Sequence, residues 1–226
     1  MVGQLIITPR GRGTAEEGRL YGLPVLRGAV DPSGFWGERR LTRAGRSLRR
    51  GGALRVLVPR DFARWPLLER LGLRPVETEG FVRAQSAPLA LAALERRGVA
   101  PDRATVALRG RRADRDMART AAELCQRVRR LVVDAPAGGE ELAVWLRREF
   151  GLPILPPGEE GHAALCFQEG CPRREEGALE LYGPRPGLAG LTLSAPGLSV
   201  EDREDLPLLA ALWEGGRLDP GAVKIT

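Results

Sequence analysis

The chain has 226 residues, 43% apolar and 28% charged, with 29 Gly and 18 Pro. That length holds one large domain or two small ones, and the apolar fraction excludes a disordered protein. No run approaches the roughly 18 uninterrupted apolar residues of a membrane span, and MVGQLIITPRGRG lacks the make-up of a signal peptide, so a soluble, cytoplasmic α/β protein with no membrane partner is expected.

Residues 4–8 are a short apolar run before Pro9 and read as a strand. A second, irregular edge strand spans 21–30, interrupted by Gly22, Pro24 and Gly28. Leu41, Ala44 and Leu48 recur at helical spacing and predict a helix over 37–50, ended by Gly51 and Gly52. The β-branched run 55–59 is a strand, 62–71 a short helix closed by Gly72, and 75–76 a brief strand. Ser86, ahead of Ala87 and Pro88, has the form of an N-cap with proline in the first turn. Its helix runs to Gly98, a good C′ residue. Strand 104–108, helix 114–128, strand 131–133, helix 140–150 and strand 152–155 then alternate, and 163–167 is a further apolar run. Strands at 178–182 and 191–194 and a helix over 202–213 complete the chain.

Such alternation is the mark of a parallel sheet with crossover helices. The fold class read from it is α/β: a Rossmann-like unit at 86–170, a smaller α/β lobe before it at 1–85, and an extension at 171–226 packing on the α/β core. The four tryptophans, Trp36, Trp65, Trp145 and Trp213, are assigned to core packing, with Trp145 beside Leu142 and Leu146 on the sheet side of its helix.

The first candidate site is the turn after strand 104–108, Arg109-Gly110-Arg111-Arg112. In a Rossmann unit this turn meets a phosphate, because the following helix offers free N–H groups and a positive dipole end. Asp134, ending the next strand, holds the place of the acid that takes ribose hydroxyls in dinucleotide-binding proteins, and Gly138 and Gly139 open the helix behind it. The layout from Ser86 to Asp134 resembles the second half of a shikimate-dehydrogenase-type NAD(P) domain, which implies a dinucleotide at this edge. Of the G-x-G-x-x-G fingerprint only Gly110 remains, and arginines stand where the pyrophosphate would lie. A different anion, or no ligand at all, suits this turn better.

The second candidate is a helix face. Arg39, Arg43, Arg46 and Arg50 follow at spacings of four, three and four, opposite Leu41, Ala44 and Leu48. Such a stripe can track phosphates while Phe35 or Trp36 stacks on a base. No helix-turn-helix, zinc-finger or RNA-recognition pattern accompanies it, so a solvated arginine-rich face outweighs nucleic acid here. A third grouping, His162, Cys166 and Cys171 with Cys125 elsewhere, has three zinc-compatible ligands but no C-x2-C pair, and Cys166 lies in an apolar strand. No metal is assigned. An odd, low cysteine count argues against a disulfide framework and fits a reducing compartment.

For catalysis there is no G-x-S-x-G elbow, Walker P-loop or H-E-x-x-H, and His162 is the only histidine. The net charge of +6 comes from 34 Arg and one Lys, unevenly spread: residues 1–130 hold 27 basic and 13 acidic side chains, residues 131–226 hold 8 and 16. Either the basic part meets an anionic partner or the two parts dock on each other. The reading is therefore a Rossmann-like, non-catalytic binding or regulatory protein. Its ligand is an anionic small molecule at the strand C-terminal edge, held by Arg109, Gly110, Arg111, Arg112, Asp134, Gly138 and Gly139, with a protein partner as the other expected contact. The alternatives are a nucleotide- or NAD(P)-dependent enzyme with a degenerate fingerprint, and nucleic-acid binding through Arg39, Arg43, Arg46 and Arg50.

Overall fold

The computed structural model describes residues 1–9, 11–171 and 175–226. They form two compact units, Met1–Glu77 with Ala195–Ala222, and Thr78–Ser194 with Val223–Thr226. Each has a five-stranded sheet. The segmentation read from sequence, at 85 and 170, cuts the chain at other places. No helix among the described residues is long and apolar enough to cross a membrane.

The first unit runs β1 (Val2–Ile7), β2 (Arg12–Leu20), β3 (Leu23–Val30), α1 (Gly37–Arg50), β4 (Arg55–Leu57), α2 (Trp65–Glu69) and β5 (Arg74–Pro75). Its strand order is β2-β3-β1-β4-β5, parallel except for β2, which is antiparallel to β3. β3 is thus an inner strand, where an edge strand was expected. The reason is β2, RGTAEEGRL, whose polar sequence hides it. It returns through a two-residue turn with positive φ at Tyr21 (48°) and Gly22 (81°), the hand of turn that suits the twist of a hairpin. Leu5, Leu26 and Val30 of the sheet pack against Leu41, Ala44 and Leu48 of α1, all buried. Burial on that scale, about 1.5–3 kcal/mol for each large aliphatic side chain, fixes which face of α1 looks inward. The arginine face is left outside. A C-terminal helix, Leu206–Glu214, joins this unit, tied by Glu214 to Arg55 at 2.6 Å and by Asp202 to the Tyr21 hydroxyl at 2.6 Å.

The second unit contains α3 (Glu79–Ala84), α4 (Ser86–Arg96), β6 (Thr105–Arg109), α5 (Arg115–Cys125), β7 (Arg130–Asp134), α6 (Gly139–Phe150), β8 (Ile154–Leu155), β9 (Ala163–Cys166) and β10 (Leu179–Glu180). An antiparallel ribbon of β11 (Leu193–Ser194) and β12 (Lys224–Ile225) completes it. The sheet order is β10-β9-β6-β7-β8, all parallel. Numbered by appearance this is 3-2-1-4-5, the doubly wound order of a Rossmann unit. The α/β Rossmann-like class expected from the alternation is what the sheet has.

Two local expectations are corrected. Ser86 is not an N-cap: α3 ends just before it, and its hydroxyl donates to the Arg83 carbonyl at 2.8 Å and meets the Thr120 hydroxyl. Trp145 is 43% exposed and packs edge-on against Phe150, because Leu142, Ala143 and Leu146 take the sheet side of α6.

Candidate functional site

In a doubly wound sheet, ligands bind where the strand order reverses, beyond the carboxyl ends. Here that point lies between β6 and β9, where Arg109 pairs in register with Cys166 on one side and Asp134 on the other. Arg109 is fully buried. Its Nη1 donates to Asp134 at 2.5 Å, and its Nη2 donates to the Glu159 carbonyl at 2.8 Å and to the Glu175 carboxylate. Arg109 therefore serves Asp134 and Glu175, while its Nε–H has no partner among the described residues. The acid that would take ribose hydroxyls is bound by the chain itself.

The phosphate turn is occupied in the same way. Gln168, just past β9, accepts from the backbone N–H of Arg111 at 2.9 Å and of Arg112 at 3.2 Å through one carboxamide oxygen. Its Nε2 donates to Asp114 at 3.2 Å. Asp114 caps α5, accepting from the Met117 N–H at 2.9 Å, and Asp116 follows in the first turn. The positive end of α5 thus already faces two carboxylates. Arg83 braces them, 3.5 Å from Asp114 and 3.6 Å from Asp116, and donates to the Phe167 carbonyl. At Gly110 a Cβ would come 2.9 Å from Met117 Cε, the tip of a flexible side chain. Gly138 has φ 76° ahead of α6, and Gly139 is buried. The loops after β6 and β7 bond to each other, the Ala113 N–H donating to the Ala137 carbonyl at 2.8 Å. Among the residues assigned to this site from sequence, the Arg111 and Arg112 side chains are exposed. The residues present do not fit a dinucleotide, because its phosphate donors, its ribose acid and its helix dipole all have partners within the chain.

His162 accepts the Thr105 N–H through Nδ1 at 3.0 Å, a structural role that closes the start of β6. Cys125 lies apart on α5, where burial pushes its thiol up to about 11. Among the described residues no three His, Cys, Asp or Glu side chains converge as metal ligands.

The arginine stripe of α1 is different. Arg39, Arg43, Arg46 and Arg50 line one groove of about 720 Å³ with Thr42, Ser47, Gly13 and Thr14. Ser47 fixes the far wall by accepting the Ala15 N–H at 2.9 Å. Gly13, at φ 73°, lets β2 come close to α1; a Cβ there would stand 3.2 Å from the Arg40 carbonyl. Among the described residues the only α1 arginine in an ion pair is Arg40, 3.0 Å from Asp31. Ahead of α1, Trp36 is 48% and Phe35 91% exposed, their rings edge to face at 5.1 Å, and Phe35 lines a separate pocket with Glu38, Arg64 and Arg70. The Arg39 guanidinium lies 4.5 Å over the Trp36 ring. Helical spacing alone brought these four arginines together. Gln168, Arg83 and the hairpin wall of the groove depend on pairings between distant segments, and no local pattern announces them.

No protein-family model matches the chain, and no curated protein matches it. Among solved structures it is similar to L-tryptophan dehydrogenase from Nostoc punctiforme, with 15% identity and a TM-score of 0.31. The likeness covers 73% of this chain and 55% of that one, so the chain spans little more than half of that protein. At this level the likeness carries no argument about activity.

Proposed function

We propose that the chain is a non-catalytic binding protein for single-stranded nucleic acid, engaged along the α1 groove. One observation carries this reading: four guanidinium groups without carboxylate partners among the described residues share a groove, and the first of them, Arg39, lies 4.5 Å over the exposed Trp36 ring. A basic groove that follows the phosphates, beside aromatic faces on which bases stack, is the general solution to sequence-tolerant single-strand binding. α1 has 14 residues, about 21 Å of helix, enough to follow a few nucleotides.

The test is fluorescence anisotropy of a labelled single-stranded oligonucleotide at low salt. The expected result is binding by the native chain, weakened at least about tenfold by R43A/R46A. W36A should lose one stacked base, about 1–3 kcal/mol. A duplex of equal length should bind more weakly, since its bases do not reach Trp36. Absence of binding at low salt, or equal affinity for R43A/R46A, overturns the reading.

A second reading keeps an anionic small molecule at the strand edge, favoured by the exposed side chains of Arg111 and Arg112. It predicts that thermal stabilisation by a phosphorylated metabolite disappears in R111A/R112A and persists in R43A/R46A. Were stabilisation to survive R111A/R112A, that reading would fall.

A further inference from the structure

The pocket at Phe35 holds about 450 Å³ and opens between the start of α1 and α2, and none of the four stripe arginines lines it. Phe35 and Glu38 form one wall, and Arg64, Pro66, Leu67 and Arg70 form the other. Its size is that of a small-molecule site, about 300–1,000 Å³. The turn before α1 is tight: a Cβ on Gly37 would run into the Pro32 carbonyl, and the Gly37 N–H donates to the Gly34 carbonyl at 3.1 Å. That turn holds the Phe35 ring out in solvent, where apolar surface gains from any group that covers it. Trp36 meets Phe35 only edge to face and carries the Arg39 guanidinium over its own ring, so Phe35 is the open stacking surface. Among the described residues Glu38, Arg64 and Arg70 are in no ion pair, although one acid and two bases share the pocket. Their polar ends are left for a ligand.

These walls select one kind of ligand. The open ring calls for a flat ring to stack on it. An ionised carboxylate only accepts hydrogen bonds, and a guanidinium only donates them. The stacked ring must then carry neighbouring donors on one side and neighbouring acceptors on another. Guanine has this arrangement: N1–H and the N2 amine are adjacent donors, and O6 and N7 are the acceptors that arginine reads as a pair. Adenine sets its amine between two acceptors, cytosine has one amine beside an acceptor, and thymine sets N3–H between two carbonyls. Each of these turns an acceptor toward a carboxylate. We propose that this pocket seats one unpaired guanine, stacked on Phe35, with N1–H and the N2 amine donating to Glu38 and with O6 and N7 accepting from Arg64 or Arg70. The proposal rests on the single-strand reading for the source of the base: a strand that follows α1 past Arg39 and Trp36 arrives at Phe35. The stripe then gives affinity without regard to sequence, and the pocket gives a preference at one position.

The test is fluorescence anisotropy at low salt with a short all-thymine strand and with the same strand carrying one central guanine, hypoxanthine or adenine. The native chain should bind the guanine strand at least about tenfold more tightly than the all-thymine strand. Hypoxanthine, which lacks the N2 amine, should lose most of that gain, and adenine all of it. E38Q and F35A should bring the guanine and thymine strands close to equal affinity. A Glu38 that acted only through its charge would move both strands together and leave their ratio as it was. Equal affinity of the native chain for the two strands, or a guanine preference that E38Q keeps, overturns the proposal and leaves the single-strand reading standing. If no strand binds, that reading falls and guanosine monophosphate decides the pocket alone. Saturation transfer in NMR from the native chain to its base, absent with adenosine monophosphate and lost in E38Q, would support the proposal; no transfer, or equal transfer to both nucleotides, would overturn it.

Discussion

At the end of β6, Arg109 carries a full charge where water does not reach, and Asp134 and Glu175 close on it. Taking such charges out of water is expensive, and the attraction between them offsets the penalty only while all partners are present. Removing one leaves buried charge with nothing to answer it. R109M should therefore cost about 3–5 kcal/mol of stability, although methionine fills much of the same space. Neutralising the orphaned acids as well, in R109M/D134N/E175Q, should recover a large part of that loss. Urea unfolding of the three chains measures both effects. Equal stability of the single and triple variants would show that volume, and not charge, decides this position. Asp134, placed by sequence like a ribose ligand, already meets the Arg109 guanidinium one strand away.

Asp114 works at the scale of an element. Its carboxylate caps α5 through the Met117 N–H and also receives Gln168 Nε2 and faces Arg83. D114A should cost about 0.5–2 kcal/mol for the cap, and more where Gln168 and Arg83 lose their partner. D114N, which still caps, should keep most of the stability. A thermal melt of the two variants separates the cases, and equal loss in both would assign the effect to charge rather than to the cap. Caps and helix faces of this kind were open to sequence reading because they are local. The helix over 37–50 has the same limits in the structure, since Leu41, Ala44 and Leu48 repeat at its pitch and Gly51 follows. The opening of α6 at Gly138 and Gly139 was legible for the same reason. β2 was not legible, because an outer strand needs no apolar alternation, and without it β3 took the place of an edge. α3 is six residues long, too short for its period to show. The turn after β6 was singled out from the sequence, but what fills it was not: that Gln168 reaches the Arg111 amide follows from β9 lying beside β6, and the two residues stand 57 positions apart in the chain.

Across the whole molecule the charge imbalance of the sequence halves does not survive folding. The acidic segment 195–222 belongs to the same unit as the basic N-terminal residues. Counted by unit there are 17 basic and 13 acidic side chains in the first and 18 and 16 in the second. Neither unit carries a large net field, so attraction for a polyanion has to come from the local stripe on α1. That makes the salt dependence of binding a count of the stripe. Each phosphate contact on a single strand contributes about −0.7 to the slope of log K against log salt, so four arginines give about −2.8 and R43A/R46A about −1.4. Replacing Arg96 and Arg97, which donate to the Ala189 and His162 carbonyls in the second unit, should leave the slope unchanged. A native slope near −2.8 that R43A/R46A does not reduce would mean that other arginines hold the phosphates. A slope near zero would mean that charge on α1 plays no part in binding.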